Sequence, residues 1–404
     1  MIDTIEIQNF KSIEKIELPL GRINVFIGEN GAGKSNLLEA IALAGAANSG
    51  KLDNEFLMSR GIRVTQAKSM RPLFEGFSDV SPIEIVLGVN EKSFNVEIQN
   101  DNQPYSSWKH KTTRTDQSEQ EYINAKLFEF TSASKENLAL FNASLRHFLS
   151  KAKAVSTGKN TEEAISSSNL VSDLLKKFQG EYACAPHEID DFVIYSPENT
   201  ALRLFEKEGQ IEPLGINGEG LLKLLVVLSE MDNSSSMSLI NESLRVLGWF
   251  KGLSIKKESS NAPPGMEIHD KYLDSKNTKL DQRSANEGFL FLLFYFALFS
   301  SNLTPRFFAI DNIDASLNPK LCSKLMAQLA LLAASNNKQA LLTTHNPAIL
   351  DGLNLDDDSQ RLFVVTRNSK GYTRVKRIMK GPGDSSKLSE LFMSGVLGGL
   401  PKRF

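Results

Sequence analysis

From Thr4 the chain alternates apolar and polar residues in TIEIQNF and again in IEKIELPL, the period-two pattern of strands with one buried face. RINVFIG follows as a near-continuous apolar run, then glycine-rich residues, then the helical pattern KSNLLEAIALAGAA. The order predicted is strand, loop, helix. PIEIVLGV and KSFNVEIQ read as two further strands. Between 100 and 188 the character changes: SWKHKTTRTDQSEQ is polar and basic, NLALFNASLRHFLSKAKAV and NLVSDLLKKF carry apolar residues at helical spacing, and STGKNTEEAISSS between them has a loop's composition. Neither helical stretch sustains a heptad, which argues against a coiled-coil arm. Beyond it come a strand at DFVIYS, a glycine-marked helix start at Gly215, Gly218 and Gly220, and a polar loop, KKESSNAPPGMEIHDKYLDSKNTK. Helix (284–301), strand (305–311), helix (318–336) and strand (339–344) follow, and RLFVVTRNSKGYTRVKRI reads as a hairpin turning at SKG. Alternation of this kind predicts an α/β core with a largely parallel sheet.

The expected division is 1–99, an inserted basic and helical lobe at 100–188, and 189–404. A chain of 404 residues, 41% hydrophobic and 23% charged, has the material for a folded core and exceeds what one average core serves. A net charge of −2 gives no bulk attraction to nucleic acid, so DNA contact would need a local patch. Lys109, His110, Lys111 and Arg114 beside Trp108 form the candidate. Cys184 and Cys322 lie far apart without metal-ligand spacing and read as small buried residues. The longest apolar run, GFLFLLFYFALF, falls short of the roughly 20 residues needed to span a bilayer and predicts a buried helix. MIDTIEIQNF lacks the features of a signal peptide, so a cytoplasmic location with no membrane contact is expected.

GENGAGKS, Gly28 to Ser35, is a full match to G-x-x-x-x-G-K-[ST] in the setting that gives the pattern meaning, after an apolar strand and at the start of a helix. Gly31 and Gly33 let a loop wrap phosphates, unpaired helix N–H groups favour an anion, Lys34 reaches the terminal phosphates, and Ser35 is a Mg²⁺ ligand. Asp311 ends the apolar strand FFAID, where a second Mg²⁺ anchor belongs. In RSANEGF, Ser284 and Glu287 have the spacing of a capping box before an apolar helix. His345 closes the strand LLTTH.

GENGAGKS, RSANEG, AIDNIDASLN and TTHNP, in that order, resemble the P-loop, signature, Walker B with D-loop, and switch histidine of ABC-type ATPases of the RecF/SMC/Rad50-like subgroup, which includes small bacterial "AAA" and OLD-family proteins. The opening EIQNFKSIEKIEL is similar to that subgroup too. The resemblance covers 1–45 and 280–350. It implies an ATPase head with an N-terminal antiparallel β subdomain and an inserted, mainly helical lobe. It further implies a head-to-head dimer holding two Mg²⁺-ATP between Gly28, Asn30, Gly31, Gly33, Lys34, Ser35 and Asn36 of one copy and Ser284, Asn286 and Glu287 of the other, with His345 as γ-phosphate sensor. Four departures stand out: Ala285 and Asn286 replace signature glycines, Asn318 replaces the D-loop aspartate, and Asn312 occupies the catalytic glutamate position. An amide accepts no proton from water, and losing a general base costs about 10²–10⁴-fold in rate. Asn312 is left to orient water, with Asp314 as an alternative base. Arg60, Arg63, Gln66 and Arg71 lie where a Q-loop or a further phosphate contact would come from, and the sequence does not choose among them.

The expectation is a slowly hydrolysing switch that controls a partner effector, a nuclease encoded nearby, in antiphage defence. A RecF-like DNA clamp is the alternative, and the SMC-like D-loop and the long insertion disfavour a transporter subunit. Asp356, Asp357 and Asp358 read as a surface loop rather than a nuclease site. The partner surface is expected on the inserted lobe or on the C-terminal LSELFMSGVLGGLPKRF, where Leu388, Leu391, Phe392, Val396 and Leu397 share helical spacing and would alternatively pack on the protein's own core.

Overall fold

The computed structural model describes residues 1–74, 78, 80–90, 92–114, 187–205, 207–231, 235–256, 265–274, 280–380 and 386–400. The helices expected between 115 and 186, and Cys184, lie outside them.

Two sheets organise the chain. The smaller is antiparallel and runs β2 (Ile13–Pro19), β1 (Thr4–Phe10), β4 (Ile83–Val89), β5 (Lys92–Gln99), β6 (Lys109–Arg114). Its first four strands match the alternation that predicted them. β6 comes from the polar basic stretch, which carries no such alternation: Lys109, His110 and Lys111 are all exposed, so no buried face imposes one on them, and the strand pairs only with β5 among the described residues.

The larger sheet has the order β13 (Thr373–Ile378), β12 (Gln360–Arg367), β3 (Ile23–Ile27), β11 (Gln339–Thr344), β10 (Phe307–Ile310), β7 (Ile194–Tyr195). It is parallel from β12 to β7, and β13 turns back antiparallel. β3 and β11 are buried along their whole length, as central parallel strands covered on both faces must be.

Side chains alternate between two cores. Phe26, Phe307, Ala309, Leu341 and Phe363 face one core, which holds α1 (Lys34–Asn48) between the two sheets. Helix α1 is buried on nearly all sides, and its alanine-rich sequence lets backbones come close: a Cβ on Gly45 would meet the Ile189 carbonyl oxygen at 2.1 Å. Val25, Ile27, Phe308, Ile310, Ala340 and Leu342 face the opposite core, with α3 (Leu221–Glu230), α5 (Glu287–Ser300) and α6 (Pro319–Ser335). α2 (Asn54–Ser59), α4 (Ser235–Ser243) and α7 (Leu388–Met393) complete the helices of the described residues.

Helix α5 carries the GFLFLLFYFALF run and is buried from Phe289 to Ser300. At roughly 1.5–3 kcal/mol for each large apolar side chain taken from water, it contributes heavily to this core as an upper bound. Part of the loop expected before it is instead a hairpin, β8 (Phe250–Lys256) with β9 (Gly265–Asp270). The two apolar residues of GMEIHD, Met266 and Ile268, supply its buried face and were too few to stand out among polar neighbours.

Candidate nucleotide site

The candidate residues at 28–35, 311 and 345 gather at the carboxyl ends of the parallel strands, where an open α/β sheet places its ligands. In order across the sheet, the 28–35 loop leaves β3, His345 follows β11, Asp311 follows β10, and a loop beginning at Ser196 leaves β7.

The glycines are there for space and for backbone shape. A Cβ on Gly28 would lie 2.1 Å from the Val365 carbonyl oxygen, and one on Gly33 would lie 2.1 Å from Thr373 Oγ1, with φ at +108°. Gly31 has open space around it but φ at +76°. Below the loop a chain of hydrogen bonds ties four elements together. Asn36 Nδ2 donates to Ser12 Oγ (2.7 Å), Ser12 Oγ pairs with Thr373 Oγ1 (2.7 Å), and Thr373 Oγ1 donates to the Ala32 carbonyl (2.9 Å). Asn30 and Gly31 are exposed at the loop tip.

Lys34 is 5% exposed and donates to the carbonyls of Gly28 (2.8 Å) and Glu29 (3.1 Å), with His345 Nδ1 at 3.4 Å. Burial pushes its ammonium down to about 8, against the opposing pull of Asp311, Asp314 and Glu29. Burial, then the Lys34 charge, lower the His345 imidazole as well, which keeps the ring neutral at pH 7.

Ser35 Oγ donates to Asp311 Oδ2 at 2.9 Å, and Thr343 Oγ1 donates to the other carboxylate oxygen. Hydroxyl and carboxylate thus converge on one point, an all-oxygen donor pair suited to Mg²⁺, which binds through few protein oxygens plus phosphates. Among the described residues no cluster of three or more His, Cys, Asp or Glu forms a protein cage for a metal. The residues fit Mg²⁺-ATP: when bound, the ion would neutralise phosphate charge, with Ser35 and Asp311 as its protein anchors.

Asn312 has φ at 58°, is exposed, and its backbone N–H donates to Thr343 Oγ1 at 2.9 Å. Asp314 turns inward. Its Oδ1 accepts from Thr344 Oγ1 (2.6 Å) and from the His345 backbone N–H (3.3 Å), so it braces the histidine's backbone. Thr343 and Thr344, consecutive on β11 with opposite side-chain directions, hold Asp311 and Asp314 respectively, a division of labour that the pair TT did not reveal.

The expected capping box is corrected. Helix α5 begins at Glu287 and is capped by Asn286, whose Oδ1 accepts from Phe289 N at 2.8 Å. Ser284 caps nothing: its hydroxyl bonds Asp281 Oδ1 (2.9 Å) within its own turn. Glu287 accepts from Ser316 Oγ. RSANEGF offers two candidate caps, and Asn286, two residues after Ser284, is as good an N-cap as serine. Asn318 caps α6, accepting from Leu321 N at 3.0 Å.

Of the four residues left open, Arg63 stands nearest the loop, donating to Asn36 Oδ1 (3.3 Å) and pairing with the buried Glu39, which Lys11 also contacts. Arg71 is buried scaffolding, bonded to the carbonyls of Ser81 and Asn100. Arg60 lies over the Phe56 ring, and Gln66 leads a short 3-10 turn. Sequence reasoning missed the segment after β7. Tyr195 O accepts from Asp311 N at 2.8 Å, which places Ser196 and its successors beside the metal-side carboxylate. The strand IYS was visible, but its pairing with β10 was not.

A phosphate loop, a hydroxyl–carboxylate pair, a neutral histidine and a capped helix start, arranged on this sheet, define a P-loop ATPase head of the ABC type, of the RecF and SMC kind. The model of the family AAA_21, "AAA domain, putative AbiEii toxin, Type IV TA system", matches residues 23–351, and the chain belongs to that family. The chain is 36% identical over 114 residues to the uncharacterized protein MJECL10 of Methanocaldococcus jannaschii, covering 26% of this chain and 50% of that protein. It is 31% identical over 100 residues to the DNA replication and repair protein RecF of Geotalea uraniireducens, covering 24% of this chain and 26% of RecF. The chain therefore spans half or less of the length of these relatives. A solved SMC head bound to the C-winged helix domain of ScpA superposes with a TM-score of 0.53 at 14% identity, covering 94% of this chain and 98% of that one, a likeness of fold. No helix among the described residues is long and apolar enough to cross a membrane.

Proposed function

We propose that the protein is an ATP-latched switch. It binds Mg²⁺-ATP, closes head to head on a second copy around two nucleotides, hydrolyses them slowly, and in the closed form controls a nuclease-type effector in defence against phage. The observation that carries this reading is Asn312: residues suited to phosphate and Mg²⁺ are followed, one residue after Asp311, by an exposed amide that takes no proton from water. Asp314, whose Oδ1 accepts two hydrogen bonds from the residues around His345, is poorly placed to substitute as base. The family's description as a putative toxin of a toxin–antitoxin system supports a role in such a cassette.

The test is light scattering and single-turnover hydrolysis with purified protein, with Lys34→Ala as blank. ATP-dependent association with a long-lived product-free complex is expected, and brisk turnover by the wild type refutes the latch. In cells, a defence role predicts that Lys34→Ala abolishes protection against phage plating.

A second reading, a RecF-like DNA clamp, is favoured by edge strand β6. Lys109, His110 and Lys111 are exposed on it, beside Trp108, whose ring stacks against Arg71 at 5.2 Å. DNA binding that steepens with falling salt and is lost in Lys109→Glu would support it.

A further inference from the structure

The turn before α5 is shaped by one arginine. Arg203 lies in the 3-10 turn Ala201–Arg203, at the end of the segment that leaves β7. Its Nη1 donates to the carbonyls of Gln282 (2.7 Å) and Arg283 (2.8 Å), Nη2 to the carbonyl of Ala285 (2.9 Å), and Nε to Asn199 Oδ1 (3.0 Å). The other side of the turn is held by Asp281, whose Oδ1 accepts from the N–H groups of Arg283 (3.0 Å) and Ser284 (2.9 Å). Carbonyls point to the guanidinium and N–H groups to the carboxylate, so the path of the backbone into α5 is fixed by these two side chains.

The far end of the segment is fixed too. It starts beside Asp311 through the Tyr195 carbonyl, and Ser196 N and Glu198 N donate to the carbonyls of Ile216 (2.8 Å) and Asn217 (3.0 Å). Leu202, next to Arg203, is fully buried, and Gly218 is packed so closely on it that a Cβ there would lie 2.5 Å from Leu202 Cδ2. A segment anchored at both ends connects the metal-side carboxylate to the turn that aims the N-terminus of α5. The first N–H groups of that helix have no acceptor within it, which makes their direction consequential for an anion.

We propose that Arg203 is a positioning residue that couples the chain's own Asp311 edge to the 282–285 turn, and so sets how well the α5 N-terminus receives the terminal phosphate of a nucleotide held by a second copy. This rests on the head-to-head dimer proposed above. Only a planar fork places hydrogens on three carbonyls at once, so lysine keeps the charge and loses the function.

Arg203→Lys and Arg203→Met are compared with wild type for binding of a fluorescent ATP analogue, ATP-dependent association by light scattering, and trapping of labelled ATP. Single protomers are expected to bind the analogue within about twofold of wild type, while association shifts to roughly 10–100-fold higher protein concentration, because charge-assisted bonds to three carbonyls are lost. Mixing Arg203→Met with Lys34→Ala is the decisive arm. A mixed dimer joins the intact P-loop of the first to the intact turn of the second, so the mixture should trap ATP where neither variant alone does, a rescue that misfolding of Arg203→Met does not permit. Should Arg203→Met fail to fold, Asn199→Ala, which removes only the Nε partner, is expected to weaken association in the same direction by roughly threefold. Wild-type association and trapping by the Arg203 variants, or a mixture that gains nothing, overturns the assignment. A wild type that does not associate with ATP overturns the dimer reading and the assignment with it.

Discussion

Asn312→Glu sets two structural effects against each other. At φ 58° the residue sits in the left-handed region, which asparagine tolerates better than glutamate because its short amide bonds locally. The conformation is imposed from both sides: Asn312 N donates to Thr343 Oγ1 at 2.9 Å and Ile313 N to the Thr343 carbonyl at 3.0 Å. Relief by moving the backbone would break bonds that also hold Asp311, so the variant should keep the conformation and lose about 1 kcal/mol of stability, a melting shift of roughly 1 °C in a chain of this size.

Against that cost stands a proton acceptor where an amide stood. A general base is worth about 10²–10⁴-fold, or about 2.7–5.4 kcal/mol of barrier. Single-turnover hydrolysis with enzyme in excess should therefore accelerate by that factor, and the ATP-driven association should become transient. Reading both quantities on the same preparation separates a damaged protein from a catalytically improved one. If the wild type already turns over as fast as Asn312→Glu, or if Asp314→Asn removes wild-type turnover altogether, the reasoning about the missing base is wrong.

Other consequences are simpler to measure. Lys34 titrates at about 8, and a triphosphate favours its charged form, so binding should draw in a proton above that pH and affinity should fall by up to about tenfold per pH unit, with no Lys34 contribution well below it. Calorimetry at pH 9 in buffers of different ionisation enthalpy reads the uptake, and its absence contradicts the burial argument. Gly28→Ala forces a Cβ to 2.1 Å from a backbone carbonyl and should cost about 1–3 kcal/mol in denaturant unfolding. Gly31→Ala meets nothing and strains only φ, for about 1 kcal/mol, so the reverse order would be contrary. Asn286→Ala should destabilise by about 1 kcal/mol through the lost cap while Ser284→Ala stays within about 0.5, and equal effects would restore the capping box.

What could be read from the sequence was what is local. The phosphate loop, the strand ending at Asp311 and the histidine after β11 each carry their meaning within a dozen residues, and α5 was legible because its apolar run has no polar face. The partners of these residues were not legible, because pairing across a sheet leaves no trace along the chain. Thr343 and Thr344 are two ordinary strand residues until β10 is placed beside β11, and Arg203 is one arginine among many until three carbonyls from 282, 283 and 285 are brought to it. Strand β6 was obscured for a related reason: Lys109, His110 and Lys111 are all exposed, so the strand shows none of the alternation that reveals a half-buried one, and only its pairing with β5 marks it. The helix cap was misplaced by two residues where Ser284 and Asn286 compete for it, and the tie that decides it, Asp281 to Ser284, is again a matter of three-dimensional fit.

The two cores bear on how the site is completed. Helix α1, which opens at the phosphate loop, packs on one face of the parallel sheet with Phe26 and Leu341, while α5 packs on the other with Val25 and Leu342. Successive residues of one strand point to opposite faces, so α1 and α5 are separated by the sheet itself. The start of α5 is also bound to its own surroundings: Glu287 accepts from Ser316, and Arg203 and Asp281 clasp the turn before it. Ser284, Asn286, Glu287, Ser316 and Asn318 are all exposed, so these ties order a polar surface and not a core. A helix fixed on the far face does not swing round to a phosphate seated at α1. If the α5 N-terminus serves a nucleotide at all, it serves one carried by another copy, and ordering that surface in advance lowers the entropy lost when two copies meet.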